Sequence, residues 1–151
     1  MVYLQVGVED KVHEILSSNL QNRKQIVVVD GQKSDTLDIK AGVPQGSRLG
    51  PLLFLIYMND ITEDIESDML IFADDTSLFV SGSDPAETVD ILNRDLQKIS
   101  SWATKWKVKF NSSKTKNIIF SNKTLNNSPP LIFNDCFIEV VNEHKHLGLY
   151  L

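Results

Sequence analysis

Disulfides are excluded at the outset, because this 151-residue chain has one cysteine, Cys136. A reducing intracellular compartment fits that count. The opening Met1-Val2-Tyr3-Leu4-Gln5-Val6-Gly7 lacks the basic stretch and apolar core of a secretory signal. Long apolar runs are missing as well. The longest, Leu52 to Met58, is far too short to span a bilayer, so a soluble protein with no membrane partner is expected. Acids are absent from one long stretch: none occurs between Leu96 and Asn134, where Lys98, Lys105, Lys107, Lys109, Lys114, Lys116 and Lys123 lie. The net charge of −5 argues against a nucleic-acid partner, but this local basic stretch can serve phosphates despite the acidic total. The alternative is an ordinary solvated lysine surface. What is present in quantity is apolar residue, 42%, enough for a core in one domain's length of chain.

The stretch Ile71-Phe72-Ala73-Asp74-Asp75-Thr76-Ser77-Leu78-Phe79 places two adjacent carboxylates between two β-prone apolar runs. Such runs around turn-forming residues read as a hairpin with Asp74-Asp75 at its tip. Two neighbouring carboxylates repel, and apolar strands raise the cost of ionising them. A divalent cation relieves both problems, and oxygen donors suit Mg²⁺ or Mn²⁺. The plainer alternative is a solvated turn, where Asp is common.

In chain order, Val8 to Leu20 reads as a helix whose face of Val12, Ile15, Leu16 and Leu20 is expected in the core. Gln25 to Val29 reads as a strand, Asp30-Gly31 as a hairpin turn, and Thr36 to Ile39 as the returning strand. Next comes a loop rich in glycine and proline, Ala41 to Pro51, leading into an apolar helix at about 50–61. Gly42, Gly46 and Gly50 lack a Cβ, so a ligand or another backbone could approach closely. Asp84, Pro85 and Glu87 mark a helix start. Val89, Leu92, Leu96, Ile99, Ala103 and Trp106 then form its apolar stripe, with Trp102 off centre. Val108 to Phe110 and Asn117 to Phe120 read as strands, Thr124 to Pro130 as a polar linker, and Leu131 to Val140 as a hairpin around Asn134-Asp135. His144 and His146 alternate on a final strand, and two histidines without a third ligand read as structural. That apolar strand stopping at Leu151 suggests truncation.

Together these pieces resemble the reverse transcriptase domain of non-LTR retrotransposons of the LINE or jockey type, from about residue 3 to residue 151. Gly42-Val43-Pro44-Gln45-Gly46-Ser47-Arg48-Leu49-Gly50-Pro51-Leu52-Leu53-Phe54 is similar to the family's GVPQGSVLGPLLF block, with Arg48 at a variable position. Phe72-Ala73-Asp74-Asp75 resembles its catalytic box. Trp102 to Trp106 followed by Asn111-Ser112-Ser113-Lys114-Thr115-Lys116 resembles a later block, and His146-Leu147-Gly148 resembles the primer-grip strand.

The resemblance implies an RNA-directed DNA polymerase with two Mg²⁺ or Mn²⁺ ions, acting on an RNA or DNA template, a primer and deoxynucleoside triphosphates in the nucleus or cytoplasm. It implies Asp74 and Asp75 as metal-binding and catalytic, and Lys114 near the triphosphate. Gly42, Pro44, Gln45, Gly46, Ser47, Phe72 and Ala73 would lie at template and substrate, and His146, Leu147 and Gly148 under the primer end. The expected fold is α+β, a partial palm: an antiparallel sheet with the Asp-Asp hairpin, backed by the helices at about 50–61 and 85–106. Residues 1–123 would be partial fingers and palm, and 124–151 a C-terminal hairpin of the same domain.

The family's third catalytic carboxylate, on an earlier strand, has no counterpart before Gly42. Glu9 and Asp10 sit at a helix start, Asp30 in a turn, and Asp35 and Asp38 too close to the Gly42 block. The chain alone is therefore expected to be inert. Two rivals remain at this point. One is a non-catalytic remnant that binds nucleic acid through Lys105 to Lys123. The other is a dimeric aspartic protease, suggested by Asp75-Thr76-Ser77 alone.

Overall fold

The computed structural model describes residues 10–44, 46–122 and 129–151. Gln45, Lys123, the segment 124–128 and the start of the first helix lie outside the described residues. The chain divides into two compact units, Met1–Asp60 and Ile61–Leu151. Among the described residues its architecture is α+β, with three α-helices and short strands that pair two by two. Five of the six strand pairs are antiparallel. They form separate ribbons, not the single antiparallel sheet the sequence suggested.

The first unit opens with α1 (Asp10–Leu20). Of its expected core face only Leu16 is buried; Val12 and Ile15 are 57% and 62% exposed. A long hairpin follows: β1 (Arg23–Gln25), β2 (Val28–Val29), β3 (Gln32–Lys33) and β4 (Leu37–Ile39). Its tip is Asp30-Gly31, with φ of 49° and 78°, the left-handed pair that a two-residue primed turn requires. Between the inner and outer rungs, Ile26 and Val27 on one arm face Ser34, Asp35 and Thr36 on the other. That extra residue makes a bulge, and the Ser34 hydroxyl fills it by accepting the Val27 N–H at 3.0 Å. After the glycine-rich loop, α2 (Gly50–Met58) starts with Pro51 in its first turn and runs into a 3-10 turn, Asn59–Thr62. Leu53 and Met58 are buried, whereas Leu52 and Leu55 are exposed.

The second unit contains β5 (Asp68–Phe72), β6 (Asp75–Phe79) and α3 (Pro85–Trp106), the helix expected from the sequence. Asp84 caps α3 by accepting the Ala86 N–H at 2.9 Å, and Lys107, in the left-handed conformation, closes its other end. Leu96, Ile99 and Ala103 of the predicted stripe are buried, and Val89, Leu92 and Trp106 half-buried. The strand that α3 packs against is β8 (Ile132–Phe133), paired with β9 (Cys136–Phe137) across Asn134-Asp135. Leu131, Phe133 and Ile138 complete this core, and the Phe110 ring meets Phe133 edge-on at 5.8 Å. Polar ties seat this ribbon: Asn93 bonds Pro130 O and Ile132 N, and Ser100 donates to Asn134 Oδ1.

Neither Val108–Phe110 nor Ile118–Phe120 forms a strand. Only β7 (Lys116–Asn117) pairs there, in parallel with β10 (Glu139–Val140). Phe110 is turned toward Phe133 instead, and packing takes precedence over strand propensity. The chain ends in β11 (Lys145–His146) and β12 (Leu149–Tyr150), joined by Leu147-Gly148.

Candidate active site

The Asp-Asp hairpin has a fixed register, from Asp68↔Phe79 to Phe72↔Asp75. Ala73 and Asp74 are thus the two turn residues, and Asp75 opens the returning strand. Ala73 has φ of 52°, so an alanine occupies a conformation that favours glycine. Alternation along the strands puts Asp68, Leu70, Phe72, Asp75, Ser77 and Phe79 on one face. The opposite face, Met69, Ile71, Thr76 and Leu78, is half-buried. Asp74 and Asp75 are both exposed, with oxygens open to a ligand. Phe72 is 64% exposed.

One contact joins two predicted site segments. His146 Nε2 lies 3.2 Å from Ser77 Oγ, the hydroxyl two residues beyond Asp75 on the same face. The hairpin of His146, Leu147 and Gly148 is thereby tied to the Asp-Asp hairpin. Leu147 and Gly148 form its tip with φ of 49° and 90°.

Lys114 sits in a tight polar turn, its N–H donating to Asn111 O at 3.1 Å, while Ser113 donates to Asn111 Oδ1. Its side chain is exposed and enters no ion pair among the described residues. The same holds for Lys107 and Lys109. Three other lysines of the basic stretch are already engaged. Lys98 binds Glu66 and Asp95, Lys116 binds Glu139 and lowers its pKa, and Lys105 lies 5.0 Å from the Trp106 ring. The phosphate-facing surface expected of the whole stretch therefore narrows to fewer residues.

The glycine-rich loop belongs to the first unit. Gly42 and Gly46 take φ of 76° and 78°, and nothing lies within 4 Å of where a Cβ would stand. Gly50 is different. A Cβ there would lie 3.0 Å from Ser47 Oγ, so the loop's own closure, not a ligand, explains that glycine. Ser47 is half-buried and occupied: its Oγ accepts the Gly50 N–H at 2.9 Å, and its N–H donates to Pro44 O at 3.2 Å. Nearby, burial and then the charge of Asp60 raise the Tyr57 pKa.

What sequence reasoning missed lies where the chain enters the Asp-Asp hairpin. Asp95 on α3 is 0% exposed. Its carboxylate accepts the Glu66 N–H at 3.1 Å and the Ser67 N–H at 2.7 Å, just ahead of β5, and binds Lys98 at 3.2 Å. Burial works to raise its pKa. The Ser67 N–H, the Glu66 N–H and Lys98 outweigh that, so the net shift is downward. Arg94 grips the Glu66 carboxylate with Nε at 3.1 Å and Nη2 at 2.8 Å. That grip, with Lys98, lowers the Glu66 pKa from 4.5 to about 2. An Asp on a helix between Arg and Lys reads as a surface charge; only its backbone partners reveal the clamp.

Two carboxylates make part of a cation site. Among the described residues no group of three or more His, Cys, Asp or Glu side chains could hold a metal ion. Asp30 lies in a turn, Asp35 in the bulge and Asp38 on β4 opposite Lys24. No helix among the described residues is long and apolar enough to cross a membrane.

The profile of the family described as reverse transcriptase (RNA-dependent DNA polymerase) matches residues 2–151. This chain belongs to the reverse transcriptase family. It is 33% identical over 149 residues to the RNA-directed DNA polymerase from mobile element jockey of Drosophila funebris, a match covering 93% of this chain and 16% of that protein. The Drosophila melanogaster jockey polymerase is 34% identical over the same shares. The probable RNA-directed DNA polymerase from transposon X-element of Drosophila melanogaster is 32% identical, over 91% of this chain and 16% of that protein. The chain therefore spans about a sixth of the length of these relatives. No solved structure matches it. The family match takes in Asp75-Thr76-Ser77, and the aspartic protease reading lapses with it.

Proposed function

We propose that this chain is the part of an RNA-directed DNA polymerase palm that presents two carboxylates to the reacting phosphate. The observation that carries the reading is the Asp74-Asp75 tip, exposed and tied through Ser77 to His146, in a chain that matches reverse transcriptases throughout. Asp74 is the direct metal ligand and Asp75 the second carboxylate. Gly42, Pro44, Gln45, Gly46, Ser47, Phe72 and Ala73 lie at template and incoming nucleotide. Lys114 offsets charge on the triphosphate. His146, Leu147 and Gly148 lie beneath the primer end. Residues 1–123 and 124–151 serve one polymerase domain, working in the nucleus or cytoplasm on an RNA or DNA template, a primer and deoxynucleoside triphosphates.

Asp74 and Asp75 are hard oxygen donors of the kind Mg²⁺ or Mn²⁺ takes, and they supply part of the donor set. When bound, two such ions favour attack by the primer hydroxyl and departure of pyrophosphate. The chain's own contribution is to hold the two carboxylates on a short, registered turn and to anchor the start of that hairpin's first strand through Asp95.

Primer extension on an RNA template with Mg²⁺ or Mn²⁺ tests the reading. The chain alone is expected to be inactive. Joined to an upstream segment that supplies the third carboxylate, it is expected to extend the primer, and Asp74→Asn to abolish that. Extension that survives Asp74→Asn overturns the catalytic assignment. Tight nucleic-acid binding with no extension in the completed protein would favour a non-catalytic remnant.

A further inference from the structure

Arg23 opens β1, and its guanidinium has an unusual set of partners. Nε donates to the carbonyl of Leu20, the last residue of α1, at 3.1 Å. Nη2 donates to the carbonyl of Ala41 at 3.3 Å and to that of Gly42. Arg23 enters no ion pair among the described residues. Its charge is met by the negative end of a helix and by the two carbonyls where the glycine-rich loop begins.

We propose that Arg23 is a positioning residue for the loop from Gly42 to Ser47, acting on substrate only through that loop's shape. The inference rests on the reading of this loop as the template and nucleotide segment. The far end of the loop is already fixed, by Ser47 capping Gly50 and by the Ser47 N–H on Pro44 O. Among the described residues the near end lacks such a fixture. β4 stops at Ile39, and Gly42, at φ of 76° with open space around it, has more backbone freedom than any other residue type. Arg23 supplies the restraint. Its planar fork reaches the helix end and the loop together, which a lysine ammonium, a point charge, does less well.

Two measurements test this. In the chain itself, Arg23→Gln is expected to speed amide hydrogen exchange over residues 41–48 while α2 keeps its protection. In the extension-competent polymerase that contains this segment, Arg23→Gln is expected to raise KM for the incoming nucleotide about tenfold with kcat within about twofold, and Arg23→Lys to restore part of that loss. Unchanged KM and unchanged exchange overturn the proposal. So does a parallel loss of kcat and thermal stability, which would make Arg23 a general fold residue. Asp74→Asn is measured alongside. If that variant still extends, the polymerase reading falls and takes this inference with it. If that variant is inactive and Arg23→Gln behaves as the parent, only the role of Arg23 falls.

Discussion

Two kinds of two-residue hairpin turn occur in this chain, and they differ in strain. Asp30-Gly31 and Asn134-Asp135 place residues that tolerate the left-handed region at every positive-φ position. The other two turns do not. Ala73 has φ of 52° and Leu147 has φ of 49°, and each is the first residue of its turn. Holding a residue with a Cβ in that region costs about 1–2 kcal/mol. The relaxed turns carry no proposed site residue. The strained turns carry Asp74 and the segment of His146, Leu147 and Gly148, and the Ser77–His146 bond joins their strands. Strain of this kind persists where surrounding structure holds the segment in place, and here the Ser77–His146 bond ties the two strained hairpins to each other.

The largest expected effect separates function from stability at the strained turn. Asp74→Asn should lower extension by the completed polymerase about a thousandfold or more while moving unfolding free energy by less than about 0.5 kcal/mol, because the side chain is exposed. Primer extension and urea unfolding on one preparation check both halves.

Asp95→Ala acts in the opposite sense. It leaves two N–H groups and Lys98 without their shared partner, at an expected cost of about 3 kcal/mol by urea unfolding. Hydrogen exchange should show β5 and β6 losing protection while the Asp30-Gly31 hairpin keeps it. Equal loss in both would end the distinction drawn between the turns.

Turn swaps probe the strain itself. Gly31→Ala, in a relaxed turn, should cost about 1 kcal/mol, whereas Leu147→Gly should stabilise by up to about 1 kcal/mol. Destabilisation by Leu147→Gly would show that its side chain contributes more than its backbone costs.

The smallest effect is a pH dependence. The Glu66 pKa is depressed from 4.5 to about 2 by Arg94 and then Lys98, so its contribution to stability is present above 4.5 and fades as pH falls toward 2. Glu66→Gln should flatten that part of a plot of urea midpoint against pH. Glu66 is open to solvent, so the change is expected to be modest and sensitive to salt.

Much of this was legible from local chemistry. Asp84-Pro85 announced α3, Asp30-Gly31 and Asn134-Asp135 announced their turns, and the apolar runs around Asp74-Asp75 announced a hairpin. Each depends on neighbours a few residues away. The failures share a cause. Val12 and Ile15 formed a convincing apolar face, but whether a face is covered depends on what packs over it. Phe110 looked like a strand residue until Phe133 claimed it. Lys98 and Lys116 looked free for phosphate until Glu66, Asp95 and Glu139 were placed beside them.

The sequence by itself determined the family, the order of the site blocks and the turn that displays Asp74 and Asp75, because motif and turn chemistry are written within short stretches. Tertiary structure alone decided that Asp95 is buried under Glu66 and Ser67, that Ser77 meets His146, and that Arg23 closes on Ala41 and Gly42. Those bonds link residues 18 to 69 positions apart, several of them to backbone N–H and C=O groups that every residue carries alike. A backbone acceptor leaves no mark in a sequence, so only the folded chain shows which polar side chain has found it.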